Sequence, residues 1–256
     1  MSHWVLKGLK TGIKSTRYPE QEETRPGVSP GLPSPGSSFV QIADICPTGA
    51  LLRENNHIAV DYGRCVHCFR CARTTDLPPL AWQSGYEWGF LSGETAGDAP
   101  TNLERRTFGR SLHVHLVDAG DCEACLSEIT QLNNPYYNMH RLGFFVTPTP
   151  RSADVLLVVG PVTDHTRQPL QKAYDAMPTP KRVVAVGACA LSGGVFGPSF
   201  IAGSGVGNVV PVDVLVPGCP PPPLAILHAL LVAVDRKPSG LKTLSARFAE
   251  ENVEAG

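Results

Sequence analysis

Eight cysteines constrain this chain more than any other feature, because they fall into two sets of four with none left over. The first set is Cys46, Cys65, Cys68 and Cys71, and the second is Cys122, Cys125, Cys189 and Cys219. The start, MSHWVLKGLKTGIKSTRYPE, lacks the apolar core of a signal peptide, so we expect a cytoplasmic protein. Cytosolic cysteines in this number are more often metal ligands than disulfides.

The second set follows predicted strands. Cys122 and Cys125 form a C-x-x-C between a strand-like run and a helix-like run, and Cys189 and Cys219 follow the β-branched runs RVVAV and VDVLV. Ligands of an open parallel sheet gather at the carboxyl ends of its strands, so these strand ends can bring four thiolates together. A helix beginning at the C-x-x-C would also direct its free N–H groups there. Such a group of thiolates indicates an iron–sulfur cluster or a zinc site.

The first set has the spacing of bacterial ferredoxins. Cys65, Cys68 and Cys71 form C-x-x-C-x-x-C, and the remote Cys46 precedes Pro47, as the fourth ligand of a ferredoxin cluster does. Zinc ribbons show two separated C-x-x-C pairs instead, so the spacing favours a [4Fe-4S] cluster over zinc.

The ligands of a second ferredoxin cluster are missing together. Positions 36, 39 and 42, where the first ferredoxin motif would have cysteines, hold Gly36, Phe39 and Ile42, and the last position of the second motif is Thr75. The four missing cysteines are those of one cluster. The N-terminal part therefore resembles a two-cluster ferredoxin domain that has lost one cluster.

Strands and helices alternate after about residue 107. Continuous apolar runs such as DVLLVVG are typical of strands buried on both faces. We predict an α/β fold: a flavodoxin-like parallel sheet in the C-terminal domain, preceded by a small α+β ferredoxin-like domain. Its strands are predicted at 112–117, 143–146, 154–159, 182–186 and 212–216, and its helices at 122–132, 168–176 and 221–234.

The predicted organisation has five parts. They are a basic amphipathic helix with a linker (1–38), the ferredoxin-like [4Fe-4S] domain (39–80), a connection (81–106), the sheet domain (107–237) and a tail (238–256).

The predicted helix, Trp4–Arg17, has apolar and basic residues but no acidic residue. This pattern suits a helix on a membrane surface, a helix in a partner's groove or an ordinary surface helix. Aromatic residues of the connection either pack on a domain or form a docking surface. The net charge of −1 gives no indication of nucleic-acid binding.

Four segments resemble the small-subunit family shared by group 4 [NiFe] hydrogenases, formate hydrogenlyase and complex I. They are RSLHVHLVDAGDCEACLSEI, PRSADVLLVVGPVT, VVAVGACALSGGVF and PVDVLVPGCPPPP. The resemblance implies a proximal [4Fe-4S] cluster held by Cys122, Cys125, Cys189 and Cys219. Complex I subunits have the first two cysteines adjacent, whereas C-x-x-C is the hydrogenase form. The opening residues resemble the ferredoxin-like subunit of the same complexes, so the chain is similar to a fusion of two neighbouring subunits.

The resemblance implies an electron-transfer subunit with two [4Fe-4S] clusters, at the cytoplasmic face of the cell membrane. Its expected partners are a catalytic [NiFe] hydrogenase-like large subunit, other redox subunits or a ferredoxin- or formate dehydrogenase-type donor, and membrane subunits or the membrane surface through residues 4–17. The alternative is a hydrogenase-related or complex I-like complex that reduces quinone or pumps ions without a NiFe site. A third hypothesis, from a different functional class, is that both cysteine sets bind zinc and the chain is a scaffold protein.

Three further residues have roles that the sequence suggests without deciding. The resemblance places an acid involved in proton movement at Glu128, although a glutamate in a first helical turn is also favoured by the helix dipole. Arg151 suits either the cluster or a partner. His67, inside the first cysteine loop, is placed to donate a hydrogen bond to sulfur.

Overall fold

The computed structural model describes residues 3–12, 14–23, 31–36, 40–55, 57–75, 77–93, 108–197 and 199–240. The first part contains α1 (His3–Thr11), β1 (Leu32–Pro33), β2 (Leu51–Glu54), β3 (His57–Val60), α2 (Arg70–Arg73), β4 (Trp82–Gln83) and β5 (Phe90–Leu91). The second contains β6 (Leu112–Asp118), α3 (Ala124–Gln131), β7 (Phe144–Val146), β8 (Val155–Val159), α4 (Asp164–Ala176), β9 (Arg182–Val186), α5 (Ala188–Ser192), β10 (Val214–Val216) and α6 (Pro223–Ala233).

Six strands form the main sheet, in the order β5-β10-β9-β8-β6-β7. The five strands from β6 to β10 are parallel, and counted along the chain they have the 2-1-3-4-5 order of flavodoxin-like sheets. The remaining strand, β5, pairs with β10 in the antiparallel direction. The predicted fold class is confirmed, and the predicted strands differ from the observed ones only at their ends.

The central strands are apolar because helices cover both faces of the sheet. Every residue of β8 and β9 is buried, and so is every residue of α6, which packs against β9 and β10. Burial on both faces explains the continuous apolar runs in the sequence. Helix α4 begins earlier than predicted and continues through Pro169, which the sequence analysis placed near the start of the helix.

The N-terminal part is a small α+β region. Strands β2 and β3 form a hairpin, in which Glu54 pairs with His57 and Asn55 has the positive φ (53°) that such turns favour. The hairpin covers a separate small core of buried side chains, formed by Ile42, Leu51, Ile58 and Leu80. The predicted α+β character of this region is confirmed.

The predicted linker and connection both contribute short strands. Strand β1 pairs with β4, and β5 extends the main sheet. Tyr86, Trp88 and Phe90 are buried in the main core, so these aromatic residues pack on the protein itself, one of the two outcomes expected. The described part of the predicted connection ends at residue 93, and residues 94–106 lie outside the described ranges.

Both ends of the chain differ in part from the expectation. Helix α1 ends at Thr11 rather than Arg17, because Gly12 adopts the left-handed conformation (φ 65°) that terminates helices. At the other end, Ser239 and Gly240 hydrogen-bond to the segment around β5, so the first residues of the predicted tail contact the fold. Residues 241–256 lie outside the described residues.

None of the helices within the described ranges has the length and apolar character needed to cross a membrane.

Candidate functional site

The second cysteine set, here named the C-terminal cysteine site, lies where three parallel strands end. Cys122 lies between β6 and α3, and Cys125 is in the first turn of α3. Cys189 is in α5, directly after β9, and Cys219 lies between β10 and α6. Since β6, β9 and β10 belong to one sheet and run in parallel, all four cysteines lie at its carboxyl edge, as predicted.

The four thiols of this site interact electrostatically. Burial raises the pKa of Cys125, and the charges of Asp121 and the other three cysteines raise it further. Burial likewise raises the pKa of Cys189 to about 11, with further contributions from Cys219, Cys122 and Asp121. Thiols with raised pKa values stay protonated at neutral pH unless a metal ion displaces the proton.

Two glycines allow the backbone to approach these sulfurs. A Cβ atom at Gly187 would lie 2.5 Å from Sγ of Cys125, and one at Gly194 would lie 2.7 Å from Sγ of Cys189. Both glycines have positive φ values, 89° and 59°, which side chains disfavour. The site therefore has little tolerance for a larger residue at either position.

Two carboxylates lie close to the C-terminal cysteine site. Oδ2 of Asp121 accepts a hydrogen bond from the backbone N–H of Leu126 at 3.2 Å, which fixes the first turn of α3. Asp121 was not among the predicted site residues, although an aspartate just before a helix is a recognisable capping signal. Glu128 is half-buried, and burial raises the pKa of its carboxyl group. Arg151 is exposed, in a short 3₁₀ turn before β8.

The first cysteine set, here named the N-terminal cysteine site, lines a single pocket. Cys46 follows the short 3₁₀ helix Val40–Ile45. Cys65 and Cys68 lie on the loop leading into α2, and Cys71 lies in α2 itself. All four cysteines line the pocket, together with Thr48 and Trp82 among others. The structure thus brings the remote Cys46 to the C-x-x-C-x-x-C loop.

Backbone N–H groups surround the sulfur of Cys46. Ala50 N donates a hydrogen bond to Sγ of Cys46 at 3.2 Å. Burial by itself raises the pKa of this thiol, but hydrogen bonds from Thr48, Ala50 and Leu51 outweigh it, so that the pKa lies below the usual value. A sulfur that receives several N–H groups is prepared to be a thiolate, the form that binds metals.

The loop from Cys65 to Cys71 is held in a conformation that amino acids with side chains seldom adopt. His67 and Phe69 both have positive φ values, 52° and 59°. Each such residue costs on the order of 1–3 kcal/mol, and such residues are found mainly at functional sites. Burial raises the pKa of Cys65 to about 12, while the backbone N–H of His67 lowers it and the other three thiols raise it.

Aromatic rings enclose the loop of the N-terminal cysteine site. The Trp82 ring stacks on Phe69 with centroids 4.1 Å apart, and the His67 ring contacts both Trp82 and Trp88. The Trp82 indole nitrogen and both nitrogens of His67 are buried and have no hydrogen-bond partner within the described part of the chain. Burial raises the pKa of the half-buried Cys71 thiol, and the Trp82 N–H, which faces Cys71 without reaching hydrogen-bond geometry, offsets part of this rise. Sequence reasoning did not connect Trp82 to the cysteines.

The two cysteine sites are joined by one direct contact. The hydroxyl of Ser192 donates a hydrogen bond of 2.9 Å to the carbonyl of Gly63. Ser192 lies one helical turn after Cys189, and Gly63 lies two residues before Cys65. The hydroxyl of Ser192 is also 3.4 Å from the backbone N–H of Gly194, which borders the sulfur of Cys189. A short path of covalent and hydrogen bonds therefore runs between the two sites.

The geometry of each cysteine set suits an iron–sulfur cluster better than a single metal ion. Across the ranges that the structure describes, no three His, Cys, Asp or Glu side chains are close enough to bind a single metal ion together. A [4Fe-4S] cluster requires less convergence, because each of its four cysteines binds a different iron atom. Each site contains four cysteines, with N–H groups at Cys46 and closely approaching glycines at Cys125 and Cys189.

The comparisons with known proteins place the chain in a family. The model of the 20 kDa subunit of NADH ubiquinone oxidoreductase matches residues 122–233, a range that contains all of the C-terminal cysteine site. An uncharacterized protein of Methanocaldococcus jannaschii is 48% identical over 122 residues, which are 48% of this chain and 82% of that protein. The chain belongs to the 20 kDa subunit family.

Two further members of the 20 kDa subunit family have descriptive names. A probable membrane-bound hydrogenase subunit mbhJ of Pyrococcus furiosus is 42% identical over 128 residues, 50% of this chain and 77% of that protein. Formate hydrogenlyase subunit 7 of Escherichia coli is 42% identical over 125 residues, 49% of each chain. Family membership confirms the resemblance found in the sequence and makes this chain an oxidoreductase subunit.

Proposed function

We propose that this chain relays electrons through two [4Fe-4S] clusters, one in each cysteine site, to or from the catalytic large subunit of a membrane-associated [NiFe] hydrogenase-type complex. The observation that carries the proposal is the pair of four-cysteine sites joined through Ser192 and Gly63. A bound cluster supplies one-electron transfer, and the protein contributes its position, electrostatics and insulation.

The residues of the chain have separate roles in this proposal. Cys46, Cys65, Cys68 and Cys71 hold one cluster, and Cys122, Cys125, Cys189 and Cys219 hold the other. Backbone N–H groups favour the thiolate form of the ligands, as they do at Cys46. Cys65, Cys125 and Cys189 are buried, with glycine backbone against the last two, whereas Cys68, Cys122 and Cys219 are exposed.

The partners follow from the named relatives. Because those relatives are a membrane-bound hydrogenase subunit and a formate hydrogenlyase subunit, we place a large subunit interconverting protons and H2 beside the C-terminal cysteine site. A ferredoxin- or formate dehydrogenase-type donor, or another redox subunit, then exchanges electrons with the N-terminal cysteine site. Every cysteine is assigned to one of the two sites, so the ligands of a NiFe centre belong to the partner.

Peripheral attachment at the cytoplasmic face of the membrane is part of the proposal. Helix α1 carries Lys7 and Lys10, and Trp4 and Leu9 on the same helix are 76% and 73% exposed. An exposed helix that is both basic and apolar suits the interface of an anionic membrane.

The metal content of the complex tests the function. The complex is purified anaerobically from its native host through a tag on this chain, and iron, nickel, zinc and sulfide are measured. Iron and sulfide for at least the two clusters of this chain, together with stoichiometric nickel, are the expected result. Iron without nickel would support the quinone-reducing or ion-pumping alternative, and zinc without iron would contradict the proposal.

The variant Gly187→Ala tests which residues hold the clusters. The added methyl group would meet Sγ of Cys125 at 2.5 Å, so we expect the EPR signal of one cluster to disappear while the signal of the N-terminal cysteine site remains. Gly207→Ala is the control, because a Cβ atom there meets nothing within 4 Å. Two intact signals in Gly187→Ala would remove the C-terminal cysteine site from the proposal.

A further inference from the structure

The Trp82 side chain has a buried hydrogen-bond donor that meets no acceptor among the residues that the structure describes. Its indole nitrogen is shielded from solvent and forms no hydrogen bond. An unmet buried donor costs free energy, and nearly all such groups in folded proteins have a partner. The donor therefore indicates that an acceptor belongs beside it.

The Trp82 ring is held in a fixed orientation. Its backbone pairs with Pro33 in the β1–β4 ladder, and its ring stacks on Phe69 with 23° between the planes. The edge of the His67 ring meets it at a centroid distance of 5.7 Å. The indole cannot easily turn toward solvent to satisfy its N–H group, because these contacts fix both its backbone and its ring.

The donor faces the pocket that the four cysteines line. Trp82 is one of the pocket residues, and its N–H group is directed toward the Cys71 side without reaching the thiol. Sulfur atoms of an iron–sulfur cluster accept hydrogen bonds, and such bonds stabilise the reduced, more negative state of the cluster. The chemistry of the unmet donor thus matches the group proposed for this pocket.

We propose that the Nε1–H of Trp82 donates a hydrogen bond to a sulfur of the cluster in the N-terminal cysteine site, near Cys71, and thereby raises its reduction potential. This inference rests on the proposed function, because it requires a cluster in that pocket. It gives Trp82 a positioning and tuning role at the entry to the relay. His67, whose nitrogens are also buried without a partner, is the competing donor.

The test replaces Trp82 by phenylalanine, which keeps a ring to stack on Phe69 but removes the N–H group. The anaerobic complex is titrated by EPR-monitored potentiometry. In Trp82→Phe we expect a more negative potential for the cluster of the N-terminal cysteine site, an unchanged potential for the other cluster, and unchanged iron content. Trp88→Phe is the matched control, because Trp88 also contacts the His67 ring but does not line the pocket.

A second measurement keeps Trp82 in place. The chain has three tryptophans, so ¹⁵N-indole labelling in a Trp4→Phe/Trp88→Phe background labels Trp82 alone. Pulsed EPR of the reduced cluster should detect magnetic coupling to the Trp82 indole nitrogen and to one exchangeable proton. Both couplings should persist in the variant His67→Phe.

The outcomes separate this inference from the function on which it rests. A complex that contains iron but shows no indole coupling, or an unchanged potential in Trp82→Phe, overturns the role of Trp82 and leaves the electron-transfer function standing. Loss of the exchangeable proton in His67→Phe assigns the donor to His67 and also overturns the inference. Absence of iron from the wild-type complex contradicts the proposed function itself.

Discussion

At the scale of single residues, His228 shows how one buried polar group fixes the packing of the main core. It is fully buried in α6, where Nδ1 accepts a hydrogen bond from Gly89 N and Nε2 donates one to the carbonyl of Pro238. Burial lowers the pKa of His228 to about 4, so the ring is neutral at neutral pH and has one donor and one acceptor. These two bonds connect α6 to the residue before β5 and to the segment that follows α6.

We expect His228 to make the stability of the protein depend on pH. The unfolded chain binds a proton at the usual histidine pKa of about 6.5, whereas the folded protein binds it only near 4. The contribution of His228 to the free energy of unfolding is therefore fully present above pH 6.5 and is lost as the pH falls toward 4. The loss is on the order of 3 kcal/mol. Urea unfolding of the anaerobic protein at a series of pH values measures it.

The variant His228→Gln isolates this contribution. Glutamine does not titrate, so the free energy of unfolding should depend less on pH between 4 and 6.5 than in the wild type. His57→Gln is the control, because His57 is exposed on β3. An equally steep pH dependence in His228→Gln would show that other groups cause it.

At the scale of elements, α1 differs from the other long helices in burying none of its side chains. It ends at Thr11, before the left-handed Gly12. Thr16 and Tyr18 then attach the chain to the fold: Thr16 N donates to Tyr136 O, and Tyr18 is fully buried. A helix attached in this way presents its apolar and basic residues outward. The sequence pattern predicted its character, while its length depended on Gly12.

We expect α1 to bind anionic membranes. In Trp4→Ser/Leu9→Ser, affinity for vesicles that contain anionic lipid should fall at least tenfold, because burying one such side chain contributes roughly 1.5–3 kcal/mol. Raised salt should weaken the binding of the wild type, since Lys7 and Lys10 supply part of it. Vesicle co-sedimentation measures both effects.

The control for α1 is an exposed apolar residue elsewhere in the chain. Leu52, on β2, is 42% exposed, and Leu52→Ser should bind vesicles as the wild type does. Equal binding by wild type and the α1 variant would favour a docking role for the helix at another subunit.

At the scale of the whole molecule, the Ser192–Gly63 hydrogen bond connects the two segments that carry the cysteine sites. It is reinforced by packing, because a Cβ atom at Gly63 would lie 3.6 Å from the Leu191 side chain. Helix α5 therefore carries both a predicted cluster ligand, Cys189, and the residues that contact the other site. A change in this helix would act on both sites.

We expect Ser192→Ala to weaken the connection between the sites without emptying either one. Iron content should stay the same, the free energy of unfolding should fall by about 1 kcal/mol, and the magnetic interaction between the two reduced clusters should change. EPR of the fully reduced protein measures the interaction. Ser199→Ala is the control, since Ser199 bonds only to its own loop; the same EPR change in both variants would contradict a special role for Ser192.

The sequence by itself determined the grouping of the cysteines, the parallel sheet and the β2–β3 hairpin. Each of these is encoded locally: cysteine spacing, apolar runs of strand length, and turn residues between two strands. The ligand assignments stay predictions, although the structure places each set of four cysteines together.

Only the tertiary structure decided the surroundings of the two sites. Strands β1, β4 and β5 have two residues each, which is too short for any periodic pattern to indicate them. Trp82 reaches the cysteine pocket through pairing with a strand about fifty residues earlier, and Ser192 meets Gly63 across 129 residues of chain. Contacts between such distant residues depend on how the two parts of the chain pack, and no local pattern encodes them.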